Sequence, residues 1–151
     1  MTKQRITVIR GDGIGPDIID SALKVLAKVG CDFDYDFADA GLVALENHGE
    51  LLPQATLDLI AKNKIALKGP LTTPVGEGFT SINVSLRKKF QLYANLRPVV
   101  SFKGTKARYQ DIDIVTVREN TEGMYCGLGQ VVSEDGNEAQ ALSKVTRSGA
   151  E

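Results

Sequence analysis

The N-terminal part of the chain alternates short β-branched runs with segments of helical periodicity, and this alternation constrains the fold more than any other feature. Residues 5–9 (RITVI) predict a strand, and a glycine-rich turn follows before Pro16 opens a helix whose apolar residues recur every 3.6 positions. The predicted order is strand, helix, strand, helix, helix and strand, over residues 5–9, 16–29, 33–38, 41–48, 53–62 and 65–67. This order is typical of a largely parallel sheet with helices on its faces.

After Leu71 the pattern changes. Residues 71–79 (LTTPVGEGF) are rich in glycine and proline, which is typical of a loop beside a binding site. A short helix is predicted next, followed by two strands and a hairpin with an Asp-Gly turn. These elements are expected at residues 83–90, 93–99, 113–117 and 130–145. We therefore expect two structural units, with a boundary near residues 90–100 or near residue 125.

Composition and charge argue against several classes of partner. The chain has 151 residues, of which 42% are hydrophobic and 25% charged, enough for one substantial core. A net charge of −1 gives no indication of a nucleic-acid partner. The N-terminal apolar run is too short for a signal peptide or a membrane span. Two distant cysteines, Cys31 and Cys126, and a single histidine argue against disulfides and a Cys/His metal site, and favour a cytoplasmic location.

The segment GDGIGPD at residues 11–17 matches a dinucleotide fingerprint only in part. The pattern G-x-G-x-x-G requires glycine where Pro16 stands, and no acidic residue is clearly placed to hold a ribose at the end of the next strand. We therefore favour a tight turn leading into a helix, although the N–H groups of that helix terminus could still bind an anion.

Three arginines and two small polar residues are the strongest candidates for a binding site. On a helix, Asn83 and Arg87 would share one face, while Arg97 and Arg118 belong to predicted strands, where a charge needs a partner. Simpler interpretations exist: Ser81 could cap the helix, Arg87 could belong to a solvated basic face, and Arg118 could pair with a neighbouring strand. Taken together, however, the three arginines and two small polar residues favour a small ligand with several carboxylates, because a guanidinium binds a carboxylate through two hydrogen bonds.

Tyr125, in EGMYCG, has two interpretations. A lone tyrosine is most often an interface aromatic, but near cationic groups its phenol ionises more easily and could donate a proton. We interpret His48 as a surface residue that ends a helix, and Cys126 as a small buried residue.

Six motifs, in order GDGIGPD, GPLTTPVG, SINVSLR, YANLRPV, VREN and EGMYCG, resemble the β-decarboxylating dehydrogenases. This family comprises isocitrate, 3-isopropylmalate, homoisocitrate and tartrate dehydrogenases, and the resemblance runs from about residue 5 to residue 147. Ser81 and Asn83 ahead of Arg87 are similar to the isocitrate-type substrate loop, and YANLRPV is similar to the NAD-using forms. 3-Isopropylmalate and homoisocitrate stay open as alternative substrates.

The resemblance also implies an architecture. The fold would be α/β and isocitrate dehydrogenase-like, with a partial parallel or mixed sheet, flanking helices and a final β-hairpin clasp. Residues 1–92 would be the first part of the large α/β domain, residues 93–125 the start of the small domain, and residues 126–151 the clasp. The hairpin would pair with that of another protomer, giving a homodimer or a subunit of an oligomer.

The resemblance implies a role for each site residue. Ser81, Asn83, Arg87, Arg97 and Arg118 would bind the hydroxyl and carboxylates of a tricarboxylate substrate. Tyr125 would protonate the enolate after loss of carbon dioxide, and Thr72 and Thr73 would border the nicotinamide. The implied reaction is the NAD-dependent oxidative decarboxylation of isocitrate to 2-oxoglutarate, a step of the tricarboxylic acid cycle. Mg²⁺ or Mn²⁺ would polarise the carbonyl formed at C2.

The family's metal-binding aspartates, its adenosine loop and a lysine from the partner subunit would lie beyond Glu151. We therefore expect no metal ligand in this chain, absence of the C-terminal half of the family fold, and no activity of the chain alone. A truncated, non-catalytic relative that binds tricarboxylates or a sister chain is the alternative, and the use of NADP stays open. Purely structural arginines are a third possibility.

Overall fold

A computed structural model describes residues 3–74 and 81–150, with the side chains of Met124 and Tyr125 outside the described set. The chain divides into two compact units, Met1–Asn83 and Val84–Glu151. The division into residues 1–92, 93–125 and 126–151 stays a prediction. In chain order the elements are β1 (Gln4–Ile9), α1 (Gly15–Lys28), β2 (Phe33–Phe37), α2 (Leu42–His48), α3 (Gln54–Asn63), β3 (Ala66–Lys68), α4 (Ile82–Lys89), β4 (Ala94–Val100), β5 (Asp113–Glu119), β6 (Gly123–Val132), β7 (Ala139–Lys144) and α5 (Arg147–Ala150).

The first unit contains a parallel sheet in the order β2-β1-β3. The central strand β1 is the most buried, because parallel strands between helices are covered on both faces. Ile6 and Val8 of β1 pack with Ile19 of α1, and half-buried apolar residues surround them. The predicted α/β fold, with a parallel sheet and flanking helices, is confirmed.

A polar network fastens α3 to the sheet of the first unit. Thr7 is fully buried and Asn63 is 5% exposed. The side-chain amide of Asn63 donates to the Thr7 hydroxyl and to the Asp36 carboxylate, at 3.0 Å each. Arg5 Nε also donates to Asp36, at 2.9 Å. The network satisfies polar groups that would be costly to bury alone.

The second unit contains two antiparallel pairs, β4–β5 and β6–β7. The hairpin predicted over residues 130–145 is confirmed, and its turn contains Gly136 with a positive φ of 70°. Hydrogen bonds from Ser133 and then Asn137 lower the pKa of Asp135, in the same turn, to about 2.

The first hairpin strand was predicted too short, because β6 begins at Gly123 and not at residue 130. Three of its glycines adopt positive φ, and the register with β7 shifts on both sides of Leu128. Bulges and glycines interrupt the alternation of side chains on which strand prediction depends. As a consequence Tyr125, which stands outside the strands predicted from the sequence, lies within β6.

The strands of the second unit are covered much less than those of the first. Within the described part of this unit, Leu86 is the buried apolar residue, whereas Leu96, Val115 and Val117 are each more than half exposed. No helix among the described residues is long and apolar enough to cross a bilayer. Cys31 and Cys126 are free thiols.

Candidate functional site

The glycine-rich turn after β1 packs directly against the chain that leaves β3. The Asp12 amide donates to the Pro70 carbonyl at 2.8 Å, and the Gly69 amide donates to the Ile9 carbonyl at 2.8 Å. A Cβ on Gly11 would lie 2.1 Å from the Pro70 oxygen. Two of the motifs, GDGIGPD and GPLTTPVG, are therefore in backbone contact, which explains the glycine at position 11.

The Asp12 side chain links three segments of the first unit, a role that the sequence did not reveal. Its Oδ2 accepts a hydrogen bond from the Thr72 amide at 2.7 Å, and its Oδ1 accepts one from the Val43 amide at 3.2 Å. Val43 lies in the first turn of α2, which begins after Gly41, a residue without a side-chain acceptor. A carboxylate from another loop thus caps this helix.

Of the two predicted cofactor residues, Thr72 makes this contact through its amide, and Thr73 follows it. Thr72 is exposed and Thr73 is half-buried. The Thr73 hydroxyl oxygen accepts a hydrogen bond from the amide of Ile82, the first residue of α4, at 3.3 Å. Of the loop predicted at residues 71–79, residues 75–79 lie outside the described residues.

The predicted substrate residues Ser81, Asn83 and Arg87 lie at and on α4. Ser81 is exposed and precedes the helix, while Asn83 and Arg87 are both half-buried and four positions apart on it. The two lysines that follow Arg87 are exposed. The partial burial of Arg87 distinguishes it from the solvated basic face that these lysines form.

Arg97 and Arg118 lie on one face of the β4–β5 pair. In the register of the two strands, Arg97 lies opposite Thr116, and Arg118 lies opposite Asn95. Because side chains two positions apart on a strand lie on the same face, all four belong to one face of the sheet. The two arginines are diagonal neighbours, a relation that places Cβ atoms about 7–8 Å apart. Arg97 is exposed, so the expectation that its charge needs an internal partner was wrong. Arg118 is half-buried.

Tyr125 lies in β6, and its side chain is outside the described set. The neighbouring carbonyl of Cys126 accepts a hydrogen bond from Lys88 Nζ at 3.3 Å, so the last turn of α4 meets β6 beside Tyr125. Lys88 and Cys126 also line a cavity of about 530 Å³ in the second unit, together with Tyr93, Glu122 and Lys144 among others. Hydrogen bonds from the hydroxyl and amide of Thr146 lower the pKa of Glu122.

The described residues do not fit a metal ion, because no group of three or more His, Cys, Asp or Glu among them is placed to hold one. The histidine, His48, ends α2 before Gly49, and its Nε2 lies 3.1 Å from an Asp39 carboxylate oxygen at the surface. This agrees with the prediction that His48 is a helix-ending surface residue. The predicted metal ligands beyond this chain stay a prediction.

Known proteins resemble this chain in both sequence and structure. It is 40% identical over 146 residues to "Isocitrate dehydrogenase [NAD] catalytic subunit 6, mitochondrial" of Arabidopsis thaliana, covering 97% of this chain and 38% of that protein. It is 45% identical over 125 residues to a mitochondrial regulatory subunit of NAD isocitrate dehydrogenase from Dictyostelium discoideum, covering 83% and 34%. The crystal structure of isocitrate dehydrogenase from Methylococcus capsulatus superposes with a TM-score of 0.86 at 49% identity, over 97% of this chain and 44% of that one.

These relatives also correct one expectation. The cytoplasmic location is contradicted, because the relatives from Arabidopsis and Dictyostelium are named as mitochondrial proteins. Free cysteines indicate that no disulfide is formed, and that property does not identify a compartment.

The chain spans between about a third and two fifths of the length of these two relatives. The family described as Isocitrate/isopropylmalate dehydrogenase matches residues 5–151. With six motifs in order, a parallel α/β unit and a terminal hairpin in agreement with that match, the chain belongs to the isocitrate/isopropylmalate dehydrogenase family.

Proposed function

We propose that this chain supplies the substrate-binding and nicotinamide-binding part of an NAD-dependent isocitrate dehydrogenase, which converts isocitrate to 2-oxoglutarate. The observation that carries the proposal is the diagonal placement of Arg97 and Arg118 on one face of β4–β5. Two guanidiniums at this spacing suit two carboxylates of one small molecule, since each can form a bidentate pair. Half-buried Arg87 would provide a third cation.

The polar residues at the start of α4 favour isocitrate over 3-isopropylmalate. Ser81 and Asn83 would present a hydroxyl and an amide where an isopropyl arm would need apolar contacts. A pocket built from hydrogen-bonding groups rejects an apolar group strongly, because its polar atoms are left without partners. The substrate hydroxyl and third carboxylate would satisfy these side chains.

We assign Tyr125 the role of proton donor to the enolate. Its strand meets α4 through the contact of Lys88 Nζ with the Cys126 carbonyl, one residue away. Cationic groups near a phenol stabilise the phenolate and make proton donation easier. The arginines would hold the carboxylates that do not react and so fix the substrate relative to this donor.

We also propose that NAD binds at the loop after β3. Thr72 is exposed, and the Thr73 hydroxyl, which accepts from the Ile82 amide, keeps its own proton to donate. NAD supplies the hydride acceptor; the two threonines would border its nicotinamide. A divalent metal would need ligands from outside the described residues.

We also propose that the protein works as an oligomer, as the word "subunit" in the names of the relatives suggests. The β6–β7 pair is the candidate contact because β7 is an exposed edge strand throughout. An unpaired strand edge readily adds a strand from another chain. Whether the assembly contains identical or sister chains is decided by sedimentation of the purified protein.

A regulatory, tricarboxylate-binding subunit is the second candidate function. It is favoured by the 45% identity to a protein named as a regulatory subunit. Such a chain would keep the arginines and bind isocitrate without turning it over. Measuring both the binding and the turnover of isocitrate therefore distinguishes a catalytic chain from a regulatory one.

The test uses a fusion enzyme in which this chain replaces the matching segment of the Methylococcus capsulatus enzyme. We expect isocitrate-dependent formation of NADH, and we expect Arg97→Lys and Arg118→Lys each to raise KM for isocitrate about tenfold or more, since hydrogen bonds to charged groups are worth about 1.5–3 kcal/mol. Arg108→Lys is the matched control, because Arg108 is exposed and lies over the Tyr109 ring.

The possible outcomes are distinct. Binding of isocitrate to the fusion enzyme without turnover would favour the regulatory function. If neither binding nor turnover is seen, or if Arg108→Lys changes KM as much as Arg97→Lys does, the assignment of the arginines is wrong.

A further inference from the structure

We propose that Asp12 is a positioning residue for the nicotinamide-binding loop, which its carboxylate holds through the amide of Thr72. The inference rests on the proposed function, because it takes Thr72 and Thr73 as the residues that border NAD. Asp12 itself touches neither cofactor nor substrate in this scheme. It acts through the backbone of the loop.

The Asp12 carboxylate is fixed in position by its surroundings. The residue is 6% exposed, and each of its carboxylate oxygens accepts a backbone hydrogen bond, from Thr72 at 2.7 Å and from Val43 at 3.2 Å. A Cβ at Gly41 would lie 2.2 Å from Oδ2. The carboxylate is thus enclosed on the side of α2 and oriented by two amides, and charge-assisted bonds of this type are the stronger ones.

The contact extends from the cofactor loop to the substrate helix. Thr73, next to the anchored Thr72, accepts a hydrogen bond from the Ile82 amide. Ile82 is 2% exposed and is followed by Asn83, a proposed substrate ligand. Displacement of Thr72 would therefore move Thr73 and, through it, the first turn of α4.

Asp12→Asn tests the carboxylate with almost no change of shape. The asparagine keeps one acceptor oxygen and presents an NH₂ group to the second amide, so one of the two hydrogen bonds becomes a contact between two donors. Asp17→Asn is the matched control: it makes the same charge change at an exposed position in the first turn of α1.

In the fusion enzyme we expect Asp12→Asn to raise KM for NAD about tenfold or more, because the hydrogen bond that is lost is made to a charged carboxylate and belongs to the stronger class. Asp17→Asn should leave it unchanged. KM does not depend on how much of the enzyme is folded, whereas a residue that only stabilises the fold would lower the active fraction alone. An unchanged KM for NAD in Asp12→Asn overturns the proposal.

A second measurement needs neither cofactor nor turnover. In the purified chain, Asp12→Asn should speed hydrogen exchange at the Thr72 amide and leave the Val8 amide of β1 protected. Unchanged exchange at Thr72 would refute the positioning role even in an active enzyme. If the unmodified fusion enzyme fails to form NADH from isocitrate, the proposed function fails instead, and the cofactor role of Asp12 falls with it.

Discussion

At the scale of single residues, the turn after β1 shows why two glycines of one motif are not equivalent. Gly11 and Gly13 both have positive φ, 78° and 58°, so both adopt a conformation that side chains disfavour. A Cβ on Gly11 would lie 2.1 Å from the Pro70 oxygen, whereas one on Gly13 would have no atom within 4 Å among its described surroundings. Gly11 is therefore required for packing as well as for conformation.

We expect Gly13→Ala to lower the free energy of unfolding by about 1–2 kcal/mol, the cost of a left-handed alanine. Gly11→Ala should lower it by about 1–3 kcal/mol more, because the turn and the Gly69-Pro70 segment must move apart. Urea denaturation of the two variants gives the difference directly. Equal losses would mean that the turn and the segment after β3 separate without cost.

At the scale of elements, the order of strands and helices in the first unit was predictable, but the contacts that join them were not. Periodicity located β1, α1, β2, α2, α3 and β3 to within one or two residues, since it depends on local sequence. The network of Asn63, Thr7 and Asp36 depends on how β1 pairs with β2 and where α3 packs. Separations of more than 25 positions in sequence give no local signal of these contacts.

The same network predicts a specific pH dependence. Hydrogen bonds from Arg5 and then from Asn63 lower the pKa of Asp36 from 3.8 to about 2. Because the folded state holds its proton less tightly than the unfolded state, the carboxylate stabilises the fold above about pH 4. That stabilisation is lost as the pH falls toward 2.

Asp36→Asn should therefore flatten the loss of stability on the acid side, measured as the urea midpoint between about pH 5 and pH 2. Arg5→Gln should flatten the same region in part, because it removes the largest cause of the lowered pKa. In the double variant the two effects should not add, since both act on one carboxylate. Additive effects would show that Arg5 acts on acid stability through a group other than Asp36.

At the scale of the whole molecule, the sequence located the candidate site residues by motif but did not indicate what holds them. The arginines and threonines stand out because each lies in a recognisable segment. Asp12 lies in a motif as well, yet nothing local indicates that its carboxylate reaches the amides of Val43 and Thr72. Ser81 and Asn83 belong to the first unit, and Arg87, Arg97 and Arg118 to the second. Their convergence on one ligand is therefore a proposal for the binding experiments to test.

The two units should also differ in stability. In the first, β1 lies between two strands and contains the fully buried Val8. In the second, β4 and β5 form a two-stranded sheet with exposed Leu96, Val115 and Val117. An isolated pair of strands is marginal in water, because it buries too little apolar surface to offset its ordering.

We therefore expect hydrogen exchange in the purified chain to be slow at the amides of β1 and much faster at those of β4 and β5. Addition of isocitrate should slow exchange in β4 and β5, because a ligand bound by Arg97 and Arg118 stabilises the state in which those strands are paired. The same concentration of a monocarboxylate such as acetate is the control, since it cannot bridge the two arginines. If both units exchange at one rate, the low burial of β4 and β5 does not limit their stability. If isocitrate protects β1 but not β4 and β5, the substrate does not bind at this pair of arginines.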